Sequence, residues 1–354
     1  MFLSSLLKKT FGKFIKGALP SADTFGRTFS KIDIGSIRHV HKEAFKKLKR
    51  NKVIEKINGY YIAVIDGHED WSSYVKWYDG CLERNIKKGG VEVTQYYHRN
   101  VTCILITPDK NIPLDAEEQK LHEGETICAA RLFKRLMKEY PQAFNVVLCD
   151  SLYATAPFIK LVRKHSKHII AVLKDDRREV MKDADGIFKY QKPLCYEENG
   201  VKYKVWDEEN FTSWESLGTC AFRIPVRVVR TDETRMVINQ KTGRKEPRTT
   251  TWYWITTLTK KQLSTKAFVA LAHKRWRIEN NGFKELVHTW HADHVYKHDP
   301  NAVMAFWLTI MLAYMIVHTF VERRINKYLR KKKTFKLFAR EIMSAFIEYC
   351  TGTG

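Results

Sequence analysis

The alternation of apolar and polar positions predicts an α/β chain. Residues 60–65, Tyr-Tyr-Ile-Ala-Val-Ile, form a compact β-type run that ends at Asp66-Gly67, so a strand is expected with a carboxylate at its end. A polar stretch and Gly89-Gly90 follow. Residues 91–107, rich in β-branched and aromatic side chains, predict one bent strand or a hairpin turning near His98 to Asn100, stopped by Pro108-Asp109. Residues 123–140 place Ile127, Leu132, Phe133, Leu136 and Met137 on a helical stripe that ends before Pro141. Residues 145–150 predict a buried strand whose last residue is again a carboxylate, Asp150. With a helix over 154–165 and a strand over 168–173 it completes a βαβ unit.

After Lys174 the pattern changes to a charged connector reaching Asp185-Gly186. Short β-like pieces follow at 201–206, 222–231, 236–239 and 249–258, with the turn signal Thr242-Gly243 linking the last two. Helical periodicity returns at Ser264 and runs through Phe268, Leu271 and Trp276 past Glu279, Phe283 and Leu286, which places Glu279 on a helix. Two stretches have membrane-like patterns. Residues 1–17 alternate Phe and Leu with Lys in a basic amphipathic helix, without the apolar block and small-residue cleavage signal of a leader. Residues 302–321 are nearly uncharged over a spanning length. Thr309, His318 and Thr319 interrupt that run and Asp299-Pro300-Asn301 starts it as an ordinary helix, so a core helix buried on all sides is expected and no membrane partner.

Composition narrows the partner. The chain has 62 Lys plus Arg against 39 Asp plus Glu, a formal charge of +23 over 354 residues. An excess of that size favours a polyanion. The basic residues recur at 42–52, 163–167, 223–235 and 323–336, which predicts a long basic surface in place of one detachable tail. At 44% hydrophobic the chain can bury a full core and is not a disordered polymer. Its seven cysteines are odd in number and scattered, with no C-x-x-C pair, which points to a reducing compartment and away from zinc.

Phosphodiester chemistry on a polyanion needs an activated oxygen nucleophile and neutralised charge at phosphorus, which two Mg²⁺ ions held by a few carboxylates supply. Asp66, Asp150 and Glu279 are the candidates; an Asp at a strand end is also a common cap or turn residue, and Glu69 and Asp70 are rivals to Asp66. The words around them carry more. Tyr61-Ile-Ala-Val-Ile-Asp66-Gly67, Val146-Val-Leu-Cys-Asp150-Ser-Leu-Tyr153 and Arg275-Trp-Arg-Ile-Glu279-Asn-Asn-Gly-Phe283, in that order and with a β-rich stretch before the third, resemble the DDE transposases of bacterial insertion sequences. The likeness is greatest to the cut-and-paste group that works through DNA hairpins. It covers about residues 20 to 320, Pro20-Ser-Ala-Asp-Thr-Phe-Gly-Arg27 included.

That resemblance implies an RNase H-like core with a β-rich insertion, flanked by N- and C-terminal helices. It implies Mg²⁺, with Mn²⁺ able to replace it, held by Asp66, Asp150 and Glu279. It also implies that Arg275 holds a phosphate of the element's end. The family signature Tyr-x2-Arg-x3-Glu-x6-Lys is incomplete: Ala272 and Leu286 fill the Tyr and Lys places, and Lys284 or His288 lies within a helical turn of the second. In relatives that make hairpins an aromatic of the insertion receives a flipped base. Trp252 and Trp254 are the candidates for it, a cross-strand packing pair being the plainer reading. The expected organisation is a short basic helical region at 1–56, a core at 57–176 and 259–322, the insertion at 177–258 and a basic helical tail at 323–354. The expected function is that of a cytoplasmic, nucleoid-associated homodimer that nicks and joins double-stranded DNA at terminal inverted repeats and in a target. The alternative is an inactive or domesticated descendant that only binds DNA.

Overall fold

A computed structural model describes residues 21–174, 179–213 and 224–324, with single positions between 334 and 344. The amphipathic stretch at 1–17, most of the basic tail and the start of the 222–231 piece lie outside the described residues. Two helices, α1 (Ala22–Phe29) and α2 (Ile34–Arg50), precede strand β1 (Ile62–Ser73). Each carries its own cap: Ser21 accepts from the Thr24 amide and Asp33 from the Gly35 and Ser36 amides.

β1 does not stop at Asp66. It continues because β3 (Val91–Ile106), a single strand, pairs with it antiparallel from Ile62↔Ile106 to Ser73↔Tyr96. Two polar edge strands escape the sequence pattern. β2 (Leu82–Lys88) pairs the first half of β3 and β4 (Asn111–Glu118) the second. Pro113, which has no N–H to give, is tolerated because β4 is an edge, and the ladder slips by a bulge beside it. Helix α3 (Glu125–Glu139) then crosses to β5 (Val146–Cys149), α4 (Ala156–Lys164) to β6 (His168–Val172), and β1, β5 and β6 are parallel neighbours.

The β-rich stretch adds to this same sheet. After α5 (Glu179–Phe188) come β7 (Leu194–Glu198), β8 (Val201–Phe211), β9 (Val226–Ile238) and β10 (Lys245–Thr256). The last docks antiparallel on β6, giving the order β2-β3-β1-β5-β6-β10-β9-β8-β7 with β4 on β3. β9 joins the two pieces at 222–231 and 236–239 into one strand, since its ladder with β10 is unbroken from Arg227 to Ile238.

Side chains alternate across the central strands and split the core in two. Ala63, Ile65, Val147, Cys149, Ile169 and Ala171 face α3 and α4. Ile62, Val64, Val146, Leu148, Ile170 and Val172 face α6 (Thr265–Ala272) and the long α8 (Pro300–Arg324). The expected unbroken helix after Ser264 changes pitch instead. A 3-10 turn (His273–Arg275) and a π-turn (Ile278–Phe283) separate α6 from α7 (Lys284–His288). There the backbone lies so close to β3 that a Cβ on Gly282 would meet the Ile104 side chain at 2.9 Å.

α8 is long and apolar enough to cross a membrane, and half of its spanning window is buried inside the fold. Trp307, Leu308 and Met311 fill the second core, whereas Ile316 and Phe320 are exposed. Burial on all sides, expected from its composition, therefore fails toward its C-terminal end. The fold is α/β, with an RNase H-like core carrying a β-rich addition.

Candidate active site

Asp66 shares the strand parity of Ile62 and Val64, so its carboxylate points to the face covered by the helical segment that bears Glu279. It stands two residues beyond Val64, the last residue of β1 paired with β5. Asp150 follows Cys149, the end of β5, and caps the short turn Ser151–Tyr153 by accepting the Leu152 amide at 2.8 Å. Both aspartates thus lie at the carboxyl edge of parallel strands, where open α/β sheets hold their ligands. Glu279 is the second residue of the π-turn, one helical turn after Arg275. His68 is stacked between Phe283 at 4.6 Å and Trp307 at 5.3 Å, which seats the π-turn on β1 two residues beyond Asp66.

One guanidinium joins two of the three acids. Arg275 Nη1 donates to Glu279 Oε1 at 2.9 Å and to Asp66 Oδ2 at 3.4 Å, with the arginine 7% exposed and its Nε buried without a partner. Its plane lies over the Trp276 ring at 4.4 Å. Burial, offset in part by Arg275 and reinforced by the negative charges of Asp150, Glu279 and Glu125, pushes the Asp66 carboxyl up to about 7. The rivals are engaged elsewhere. Glu69 takes both ends of Arg84 at 2.9 Å, and Asp70 binds His98 and Asn100.

The donor set suits a hard divalent cation, being carboxylate oxygen throughout. The spacing does not close on one: among the described residues no three acidic, His or Cys groups stand near enough together to grip a single ion. Arg275 explains the gap, because its positive charge occupies the place between Asp66 and Glu279.

A family model for the transposase DDE domain matches residues 125–316, more than half of the chain. The chain belongs to the DDE transposase family. No curated relative matches it. The matched span includes Asp150, Arg275 and Glu279 of this transposase and begins beyond Asp66.

The remaining expected residues divide. Lys284 and His288 are exposed on the helical turns after Glu279, where Lys284 donates to Asn280. Ala272 and Leu286, in the signature's Tyr and Lys places, are 3% and 0% exposed within the second core. Trp254 is 2% exposed and has no face free for a base, while Trp252 stacks on it at 6.0 Å and meets Trp276 edge-on at 5.8 Å. The pair packs the insertion strands against the segment carrying Arg275.

Sequence reasoning missed Glu125, in the first turn of α3. Its carboxylate accepts the Tyr153 hydroxyl at 2.7 Å and pairs with Arg99 at 3.3 Å. It lies against Gly67, where a Cβ would come within 2.4 Å of it. A glycine beside the first aspartate and an acid opening the crossover helix were the only traces of this contact in the sequence.

Proposed function

We propose that this transposase nicks and joins DNA strands at the ends of an insertion sequence by metal-dependent phosphodiester chemistry, acting as a homodimer on double-stranded DNA in the cytoplasm. The observation that carries the reading is the convergence of Asp66 and Glu279, distant in sequence, on one buried arginine beside Asp150, in a chain of this family. Asp66, Asp150 and Glu279 would hold Mg²⁺ or Mn²⁺. When bound, such ions activate a water or a 3′-hydroxyl and neutralise charge on the scissile phosphate.

The chain's own groups do the rest. The buried rim around Asp66 and Tyr153 excludes bulk water and strengthens every charge interaction inside it. Arg275 offers planar donors to a phosphate oxygen, since its contacts with Asp66 and Glu279 engage Nη1 alone. Exposed Lys284 and His288 extend the grip along the strand. Ala272 and Leu286 do not favour a decayed enzyme, since as core residues at the two ends of the segment that bears Arg275 and Glu279 they serve its seating on the sheet.

The test is purified protein with Mg²⁺ and a duplex bearing the inverted repeats that bound its gene. Nicking and strand joining are expected, both lost with Asp150→Asn. No nicking under any divalent metal would overturn the reading.

A further inference from the structure

β9 and β10 leave the core as a ribbon. β10 touches β6 only from Trp254↔Val172 to Thr256↔Ile170, yet its ladder with β9 runs on to Lys245↔Ile238, and β8 stops covering β9 at Val201↔Arg235. At about 3.3 Å per residue the ribbon reaches roughly 30 Å beyond the Trp254 pairing. Its far part carries Arg235, Lys241, Arg244, Lys245 and Arg248, all exposed, against Glu246 alone. Glu246 already accepts from Asn239 and Thr242.

Arg235 and Arg248 are direct partners in the ladder. Like charges placed opposite one another weaken a sheet. No ion pair among the described residues relieves either one. The two-residue period puts Arg248, Thr250 and Trp252 on one face, and Trp252 meets Trp276, whose ring carries Arg275. This is the face of the candidate site. Arg248 and Trp252 are four residue steps apart along the strand, about 13 Å. The arginine pair thus lies within about 25 Å of Arg275, some seven base pairs of duplex at roughly 3.4 Å each.

We infer that the ribbon is a second grip on the DNA. Arg235 and Arg248, with Arg244 and Lys245 beyond them, hold backbone phosphates of the same duplex about seven base pairs from the cleavage point. A repulsive pair that costs folding stability is accounted for by a polyanion that neutralises it. The inference rests on the reading that the acidic site acts on DNA, and its test does not depend on cleavage.

The experiment measures affinity of the full chain, without divalent metal, for duplexes that run about 4 to 20 base pairs from the cleavage point, across salt concentrations. Wild type is compared with the double variant Arg235→Ala/Arg248→Ala. On long duplexes the slope of log affinity against log salt should be shallower in the variant by about 1.8, the loss of two phosphate contacts. Between 50 and 200 mM salt, wild type then loses about tenfold more affinity than the variant. On the shortest duplexes the two proteins should coincide. Arg248→Ala alone should melt no lower than wild type, because it removes a repulsion, whereas a packing role would lower its melting temperature. Equal slopes at every length overturn the inference, as does a changed oligomeric state with unchanged slopes, which would make the ribbon a contact between copies. Failure of wild type to nick would instead count against the proposed function and leave this result standing.

Discussion

Replacing Arg275 by Gln should tighten divalent-metal binding to the DNA-free protein. The guanidinium sits 2.9 Å from Glu279 and 3.4 Å from Asp66, and a cation cannot share those oxygens until it moves. A unit-charge pair about 4 Å apart is worth about 4 kcal/mol at the effective dielectric of a protein surface. Glu279 is 39% exposed in its side chain, so water screens part of that attraction. Displacing Arg275 then costs about 1.5 to 3 kcal/mol, or roughly 10- to 100-fold in affinity. Mn²⁺ titration followed by electron paramagnetic resonance reads this directly, with a thermal melt to confirm folding. By linkage, DNA that draws Arg275 onto a phosphate should tighten Mn²⁺ binding in wild type and have little effect in Arg275→Gln. Equal or weaker Mn²⁺ binding by the variant would refute the reasoning and make Arg275 a scaffold for the two acids.

Three further outcomes follow from single contacts. His98 is buried, which alone would lower its pKa, but Asp70 at 2.5 Å and Glu118 at 3.3 Å outweigh burial and lift it to about 9. Its charge therefore contributes about 3 kcal/mol that is complete below pH 6.5 and lost as pH rises through about 9; urea midpoints should fall over that window in wild type and not in His98→Gln. Asp207→Ala strands Arg227, 2% exposed and bidentate to that carboxylate, and should cost about 3 to 5 kcal/mol by chemical denaturation; a loss under about 1 kcal/mol contradicts the clamp. Gly67→Ala drives its new methyl into the Glu125 carboxylate and should lower stability by about 1 to 3 kcal/mol as the Tyr153 and Arg99 contacts break. Adding Glu125→Ala should restore part of the melting temperature, and no restoration would mean the strain lies elsewhere.

What could be seen in the sequence follows from how local each feature is. β5, β6, α3 and α4 announce themselves because buried parallel strands are continuous apolar runs and their crossover helices carry a 3.6-residue stripe. β2 and β4 lie at edges, where exposed polar residues hide the pattern. β1 seemed to end at Asp66 because its apolar run does. The parallel pairing with β5 ends two residues earlier, at Val64, and the antiparallel partner carries the strand on to Ser73. The sequence singles out Asp150 and Glu279 by their neighbouring residues and Asp66 mainly by its place at a strand end, while it gives no sign of the Glu125 contact, since only the crossover brings α3 beneath Gly67. Trp252 and Trp254 were correctly placed on one strand face, and the structure turns that face inward onto His273 and Trp276.

The change of pitch after α6 connects the incomplete signature to the acidic site. A regular α-helix through residues 264–288 would keep one stripe facing the sheet; the 3-10 turn followed by the π-turn lets the segment present two in succession. Ala272, Ile278 and Leu286 remain in the second core, and Gly282 rests against Ile104. Arg275 and Glu279, four residues apart, come together on the side facing Asp66. Polar side chains at 272 or 286 would have to be buried in that core without partners, at a cost of about 1 to 3 kcal/mol each. Their replacement by Ala and Leu therefore fits a helical segment seated deeply on the sheet, and it agrees with the proposal that DNA is held farther out, by Lys284, His288 and the arginines of the β9–β10 ribbon.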